Sequence, residues 1–164
     1  MHIFLYDDGS TGELNIEDIA QYLGQKLGEA KIEVRENPFI RHLPRDRIVD
    51  YAGRIARIKI QNMNKKAFPD QEPLYAEIEY ERRRILGRTK TFGVLYDGLQ
   101  LLSIFGETIP REECSRQFIH IIFTNRLFAT WDDSNKRYHV RTSLYAIPSI
   151  ISTSGLVEAP AKPR

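Results

Sequence analysis

Apolar and polar positions along the chain change period several times, and each change marks an element. The first run, HIFLY (2–6), closes in the turn-rich DDGSTG and predicts a strand. Ile16, Ile19, Ala20, Leu23 and Leu27 then recur at helical spacing. Asn15 supplies an N-cap, Glu17 and Asp18 fill the first turn, and Gly28 offers a stop. KIEVR (31–35) alternates and predicts a second strand. A strand, a helix and a strand in such succession make a βαβ unit with a right-handed crossover.

Asn37-Pro38 breaks that strand, and Pro44 opens a second helix with Ile48, Tyr51, Ala52, Ile55 and Ile58 on one face. Residues 61–73 are polar and Pro-punctuated, which predicts a mobile loop. A third helix over 72–86 has only a partial apolar face, from Leu74, Ile78, Arg82 and Ile85. FGVLY (92–96) reads as a short strand, 99–105 as a helix, and Pro110-Arg-Glu-Glu as a turn or helix start. FIHIIF (118–123) is almost continuously apolar, the pattern of a strand covered on both faces. Residues 127–131 and 138–145 flank Asp-Asp-Ser-Asn-Lys and predict a hairpin. In its second arm Tyr138, Val140, Thr142 and Leu144 point one way, and His139, Arg141, Ser143 and Tyr145 the other. One face should meet the core and the other solvent, as at a sheet edge. The sum is a single α/β domain over 1–164: a mixed, mostly parallel twisted sheet with helices packed on it and an antiparallel edge hairpin. Residues 156–164 read as an extended tail.

Composition narrows this picture only slightly. A chain of 164 residues can bury a sizeable core without staples, and the lone Cys114 rules out an internal disulfide. The net charge of +2 is weak support for a polyanionic partner. MHIFLYDDGS lacks the basic and apolar regions of a signal peptide, and no apolar run reaches membrane-spanning length. A cytoplasmic protein without a membrane partner is the expectation.

The candidate chemistry is sparse. His2, His42, His120 and His139 show no metal-ligand spacing, and there is neither H-E-x-x-H nor C-x-x-C, so no metal site is expected in this chain. His120, inside an apolar strand, reads as a core histidine. His139 shares a face with Arg141 and Ser143; that row suits an anion or a substrate carboxylate, and equally suits a solvated edge blunted by charge. DDGSTG lacks the phosphate-binding glycine pattern and reads as a helix-capping turn. The basic run Arg82 to Lys90 could touch nucleic-acid phosphates, but Glu79 stands one turn before Arg83 and can pair with it. Ser149, Ser152, Thr153 and Ser154 match no nucleophile motif. A turn ending the strand is expected there, with Gly155 supplying backbone freedom.

GVLYDGLQL (93–101), ETIPREE (107–113), HIIFTNRLFATWD (120–132), RYHVR (137–141) and PSIISTSGLVEAPAKPR (148–164) resemble an uncharacterised, largely archaeal family of metallopeptidases related to the archaemetzincins. LYAEIEYERR (74–83) fits more loosely. The resemblance implies an upper, substrate-cleft subdomain. Its mostly parallel sheet would carry one antiparallel edge strand that pairs with an extended peptide. That strand would lie within Arg137 to Tyr145 or in the ISTSG segment that follows. Substrate positioning would then fall to His139, Arg141, Ser143, Ser152, Thr153, Ser154, Gly155 and Glu158. Zinc would come from a later helix, so residues 1–164 are expected to lack zinc ligands and to be inactive alone. The alternatives are a non-catalytic module whose edge strand recruits a peptide or a second copy, and a weak nucleic-acid binder through Arg82–Lys90.

Overall fold

The first apolar run forms β1 (His2–Asp8) in a computed structural model that describes residues 1–10, 14–67, 72–87 and 93–157. Helix α1 (Ile16–Leu27) follows, with the Asn15 carboxamide accepting from the N–H groups of Glu17 and Asp18. Gly28 ends it at φ 45°, a left-handed value that glycine tolerates best. β2 (Lys31–Arg35) returns parallel to β1, which completes the expected βαβ unit.

β2 ends before Asn37-Pro38 as expected, and Pro38 then opens a short helix, α2 (Pro38–His42). The Asn37 side chain caps Phe39 N–H at 2.9 Å, and proline fits the first helical position because its missing N–H would be unpaired there. α3 (Ile48–Arg57) starts after a single 3₁₀ turn, not at Pro44. α4 (Tyr75–Ile85) turns Ile78 and Ile85 to the core as the apolar pattern suggested, but it also buries Glu81 and Arg84 and leaves Leu74 before its start exposed. Of the loop expected over 61–73, residues 68–71 lie outside the described residues.

β3 (Leu95–Asp97) leads directly into α5 (Gly98–Gly106), capped by the Asp97 carboxylate. β4 (Phe118–Thr124) is the covered strand that its sequence suggested, parallel to β1 on one side. β5 (Leu127–Asp132) and β6 (Arg137–Arg141) form the antiparallel hairpin, and β5 pairs with β3 in a small second sheet ordered β3-β5-β6. The second arm then changes sheets. Its continuation, β7 (Ser143–Leu144), pairs antiparallel with β8 (Ser149–Ser152). The main sheet therefore runs β2-β1-β4-β8-β7, four parallel strands with an antiparallel edge. The face alternation already fails within β6, where Tyr138 is buried and Val140 exposed. α6 (Thr153–Val157) starts immediately after β8, so Leu156 and Val157 are helical and not part of a tail; 158–164 lie outside the described residues.

Alternate residues of β1 serve two cores, as a strand covered on both faces requires. Ile3 and Leu5 pack with Ile16 of α1 and Phe123. Phe4 and Tyr6 belong to the larger cluster that joins α2, α3, α5 and the small sheet through Phe39, Ile55, Phe105 and Phe128. Gly98 sets how closely the edge of the main sheet meets α5. A Cβ there would stand 2.8 Å from Leu144 Cδ1 and 3.3 Å from the Ala129 carbonyl oxygen. Alanine favours a helix over glycine by up to ~1 kcal/mol, but overpacking costs about 1–3 kcal/mol. Gly98→Ala should therefore lower the urea midpoint of unfolding; an unchanged or raised midpoint would show that β7 moves aside without cost.

Candidate functional site

The carboxyl ends of β1 and β4 hold the most concentrated buried charge among the described residues. Arg126 follows β4 and is 1% exposed. It pairs with Asp8 at the end of β1 and with Glu81 of α4 at 3.4 Å. Thr124 Oγ1 donates to the same Asp8 oxygen at 2.7 Å. Tyr96 Oη donates to Glu81 at 2.6 Å and accepts from Arg84 at 2.9 Å. Burial, then the neighbouring Glu81 charge, push the Tyr96 hydroxyl far above its ordinary pKa, so it stays a donor. Arg84 also donates to Asn125 Oδ1. Asp8 is thus an internal counter-ion, and the DDGSTG turn is more than a helix cap. Five strand and helix ends meet through this cluster, and no group in it is placed as a base beside a nucleophile.

A second polar centre lies on the larger core's side of β1. His120 accepts at Nδ1 from Tyr6 Oη at 3.1 Å, and its Nε2–H donates to the Glu113 carbonyl at 3.0 Å; the acceptor-only carbonyl fixes this tautomer. Arg35 donates to Tyr6 Oη at 3.0 Å and grips Glu113 with two bonds of 2.7 and 3.0 Å. Burial holds the pKa of both His120 and nearby His42 below the ordinary histidine value. The Arg35 bonds hold the Glu113 carboxyl low. His120 is the core histidine that its strand suggested, but its link to Arg35 crosses three strands and had no sequence signal.

The substrate-positioning candidates divide into two groups. His139 stands 3.5 Å from Asp132, Arg141 donates to Thr130 at 3.0 Å, and Ser143 donates to Tyr145 Oη at 3.1 Å, all along the outer arm. Ser152, Thr153 and Ser154 are buried. Thr153 and Ser154 donate to the Thr124 and Asn125 carbonyls, and Ser152 Oγ accepts from Gly155 N–H at 3.0 Å. These hydroxyls lock the start of α6 onto the end of β4 and do not face solvent. Gly155 is not in the left-handed region; it is small because a Cβ would meet Ser152 Oγ at 3.0 Å, a correction to the expected backbone role. The expected turn is a helix start. Glu158, and Arg88 and Lys90 of the basic run, lie outside the described residues. Arg82 and Arg83 are held by Glu79, and Arg84 is buried, so the described part of that run offers few cations to a phosphate.

Comparison with known proteins gives one match: the model of the Probable metallopeptidase family (DUF6775) covers residues 1–164. The chain belongs to this family. No curated protein and no solved structure matches it. Family membership raises the question of a metal. A catalytic zinc needs about three nitrogen, oxygen or sulfur ligands converging on one point with an open position. Among the described residues no three His, Cys, Asp or Glu side chains converge in that way. Asp8 and Glu81 are committed to Arg126, both His120 nitrogens are engaged, and Cys114 donates to the Pro110 carbonyl. These residues do not fit a zinc ion, and no step through a metal follows from them. No helix among the described residues is long and apolar enough to cross a membrane.

Two outcomes follow from these two centres. Arg126→Met leaves Asp8 and Glu81 buried without their shared partner, which should cost about 3–5 kcal/mol in chemical denaturation; a loss under about 1 kcal/mol would mean the network contributes little. For histidine, the folded pKa is depressed, so the unfolded chain takes up protons first as pH falls. Stability is full above the unfolded histidine value and declines as pH drops below about 6.5 toward the folded value. His120→Gln should flatten the wild-type decline in urea midpoint between about pH 7.5 and 5.5, with His42 keeping part of it. An unchanged slope would exclude His120 as a source.

Proposed function

We propose that residues 1–164 form the substrate-cleft part of a metallopeptidase related to the archaemetzincins. In this reading β7 is the strand that receives an extended peptide, and the chain on its own neither holds zinc tightly nor cleaves peptides. The observation that carries it is the sheet order β2-β1-β4-β8-β7, in which β7 is antiparallel and, among the described residues, pairs on one side only. An edge of that kind offers backbone N–H and C=O groups to a peptide, and side chains beside it select the sequence. His139, Arg141 and Ser143 lie along the arm that leads into β7 and take the positioning role. Ser152, Thr153, Ser154 and Gly155 act one step back, by holding the β8–α6 junction that supports the edge.

The exposed side chains near this edge favour a second reading. Tyr145 is 84% exposed and Ile147 59%. Apolar groups beside an open edge also suit a non-catalytic module that recruits a peptide or a second copy.

One set of measurements separates the readings. An extended peptide should shift the amide resonances of Ser143 and Leu144, zinc titration should show no stoichiometric site of nanomolar affinity, and zinc-supplemented protein should leave a peptide library intact. Stoichiometric tight zinc or hydrolysis would remove the inactive-alone reading. Shifts confined to other strands would remove β7 as the receptor. Dimerisation in sedimentation, abolished by added peptide, would favour the second copy.

A further inference from the structure

A cavity of about 760 Å³ opens at the carboxyl ends of β1 and β2, against α3 and the end of α4, on a side of the molecule not used by β7. Crevices outside the carboxyl ends of parallel strands are where open α/β sheets bind ligands. Arg84 lines this one and is 6% exposed. Its two side-chain partners, Tyr96 Oη and Asn125 Oδ1, are neutral oxygens. Among the described residues no carboxylate pairs with it within 4.0 Å. The acids of the adjoining cluster are committed elsewhere: Asp8 to Arg126, and Glu81 to Arg126 and Lys59. Lys59 is shared between Glu81 and Glu77, so the cluster is balanced as a whole, yet Arg84 is the cation in it that has no carboxylate of its own among the described residues. Burial, together with the neighbouring Arg126 charge, pulls the Arg84 pKa down, and a negative charge supplied from the cavity would offset that cost.

The rest of the lining narrows the ligand. Asp7, Glu36, Arg45 and Arg82 also border the cavity; Arg82 is held by Glu79, and the two acids repel a dianion more than a single carboxylate. Ile40, Leu43, Ile48 and Val49 give it an aliphatic wall. Its volume lies in the usual range for small-molecule sites of ~300–1,000 Å³. We propose that this cavity binds a monocarboxylate with an aliphatic body, its carboxylate on the Arg84 guanidinium and its body against Ile40, Leu43 and Val49. A peptide ending in a free aliphatic C-terminus and a medium-chain fatty acid share this chemistry. The proposal is independent of the peptidase reading, because it concerns binding at a different place.

Isothermal titration of the protein with N-acetyl-Leu-Leu, with its C-terminal amide, and with octanoate tests it. The free acid should bind at least about tenfold more tightly than the amide, because the amide leaves the buried guanidinium uncompensated. Added salt should weaken the acid. Arg84→Gln should remove the preference for the acid. Val49→Glu changes a half-exposed wall position outside the buried network and should weaken the acid by like-charge repulsion while the fold stays intact; it decides the matter if Arg84→Gln does not fold. Binding of the peptide acid without octanoate identifies a peptide terminus; binding of octanoate as well widens the source to lipids. Equal affinity for acid and amide, no binding of either carboxylate, or undiminished acid binding in a folded variant would overturn the proposal.

Discussion

Arg126 is the side chain on which the arrangement of the two sheets depends. It occupies the short link between β4 of the main sheet and β5 of the small one. From there its guanidinium reaches Asp8 at the end of β1 and Glu81 on α4. A buried guanidinium is tolerable only where its partners are fixed, since removing two or three charges from water costs several kcal/mol each. The partners are fixed here by their own bonds: Thr124 to Asp8, Tyr96 to Glu81, and Asn37 to Asp8. The network therefore specifies one placement of α4 against the strand ends more than it adds net stability. Apolar packing alone tolerates small rotations of a helix on a sheet, while a bidentate charged group does not.

Much of the frame was legible because local pattern and final burial agree. The βαβ start follows from period alone: the helical spacing from Ile16, the cap at Asn15 and the alternation of KIEVR reappear as α1 and β2 at the expected bounds. FIHIIF reads as covered on both faces and is so from His120 onward, with Ile119 exposed. Other features were hidden because their cause is far away in sequence. Glu81 and Arg84 look like the solvated face of a charged helix, and only Asp8, Tyr96 and Arg126 make that face internal. The sheet switch after Arg141 was equally invisible. Alternation continues through the segment in the sequence, but the surface that each residue meets changes when the strand leaves one sheet for the other. The serine-rich segment misled for a different reason. Hydroxyls that invite a catalytic or turn reading are spent on the two carbonyls of Thr124 and Asn125, which the β4–β8 pairing brings close.

The family match and the geometry constrain each other. Membership concerns the whole of residues 1–164, whereas metal chemistry needs converging donors that the described residues do not present. What the chain does present is a rigid support. Leu144 of the edge β7 packs closely on Gly98, and β8, which pairs with β7, leads into an α6 tied by its hydroxyls to the end of β4. Rigidity at an edge matters for peptide recognition, because an edge already held in extended form does not pay again to become ordered when the peptide arrives.

The two polar centres divide the molecule's chemistry in a way that follows from charge. Around Tyr6 the charges balance: Arg35 and Arg41 face Glu113 and Glu33, and burial lowers the pKa of both histidines. Such a centre has no electrostatic need for anything from outside. Around Arg126 one guanidinium, that of Arg84, is met only by neutral oxygens, and that residue is the one that lines a cavity. A buried cation without a direct counter-ion is costly, so its persistence beside an opening is more readily understood if the opening supplies a negative charge. Where a protein's internal ion pairs fail to close, the side chain left over and the space in front of it together indicate what kind of molecule belongs there.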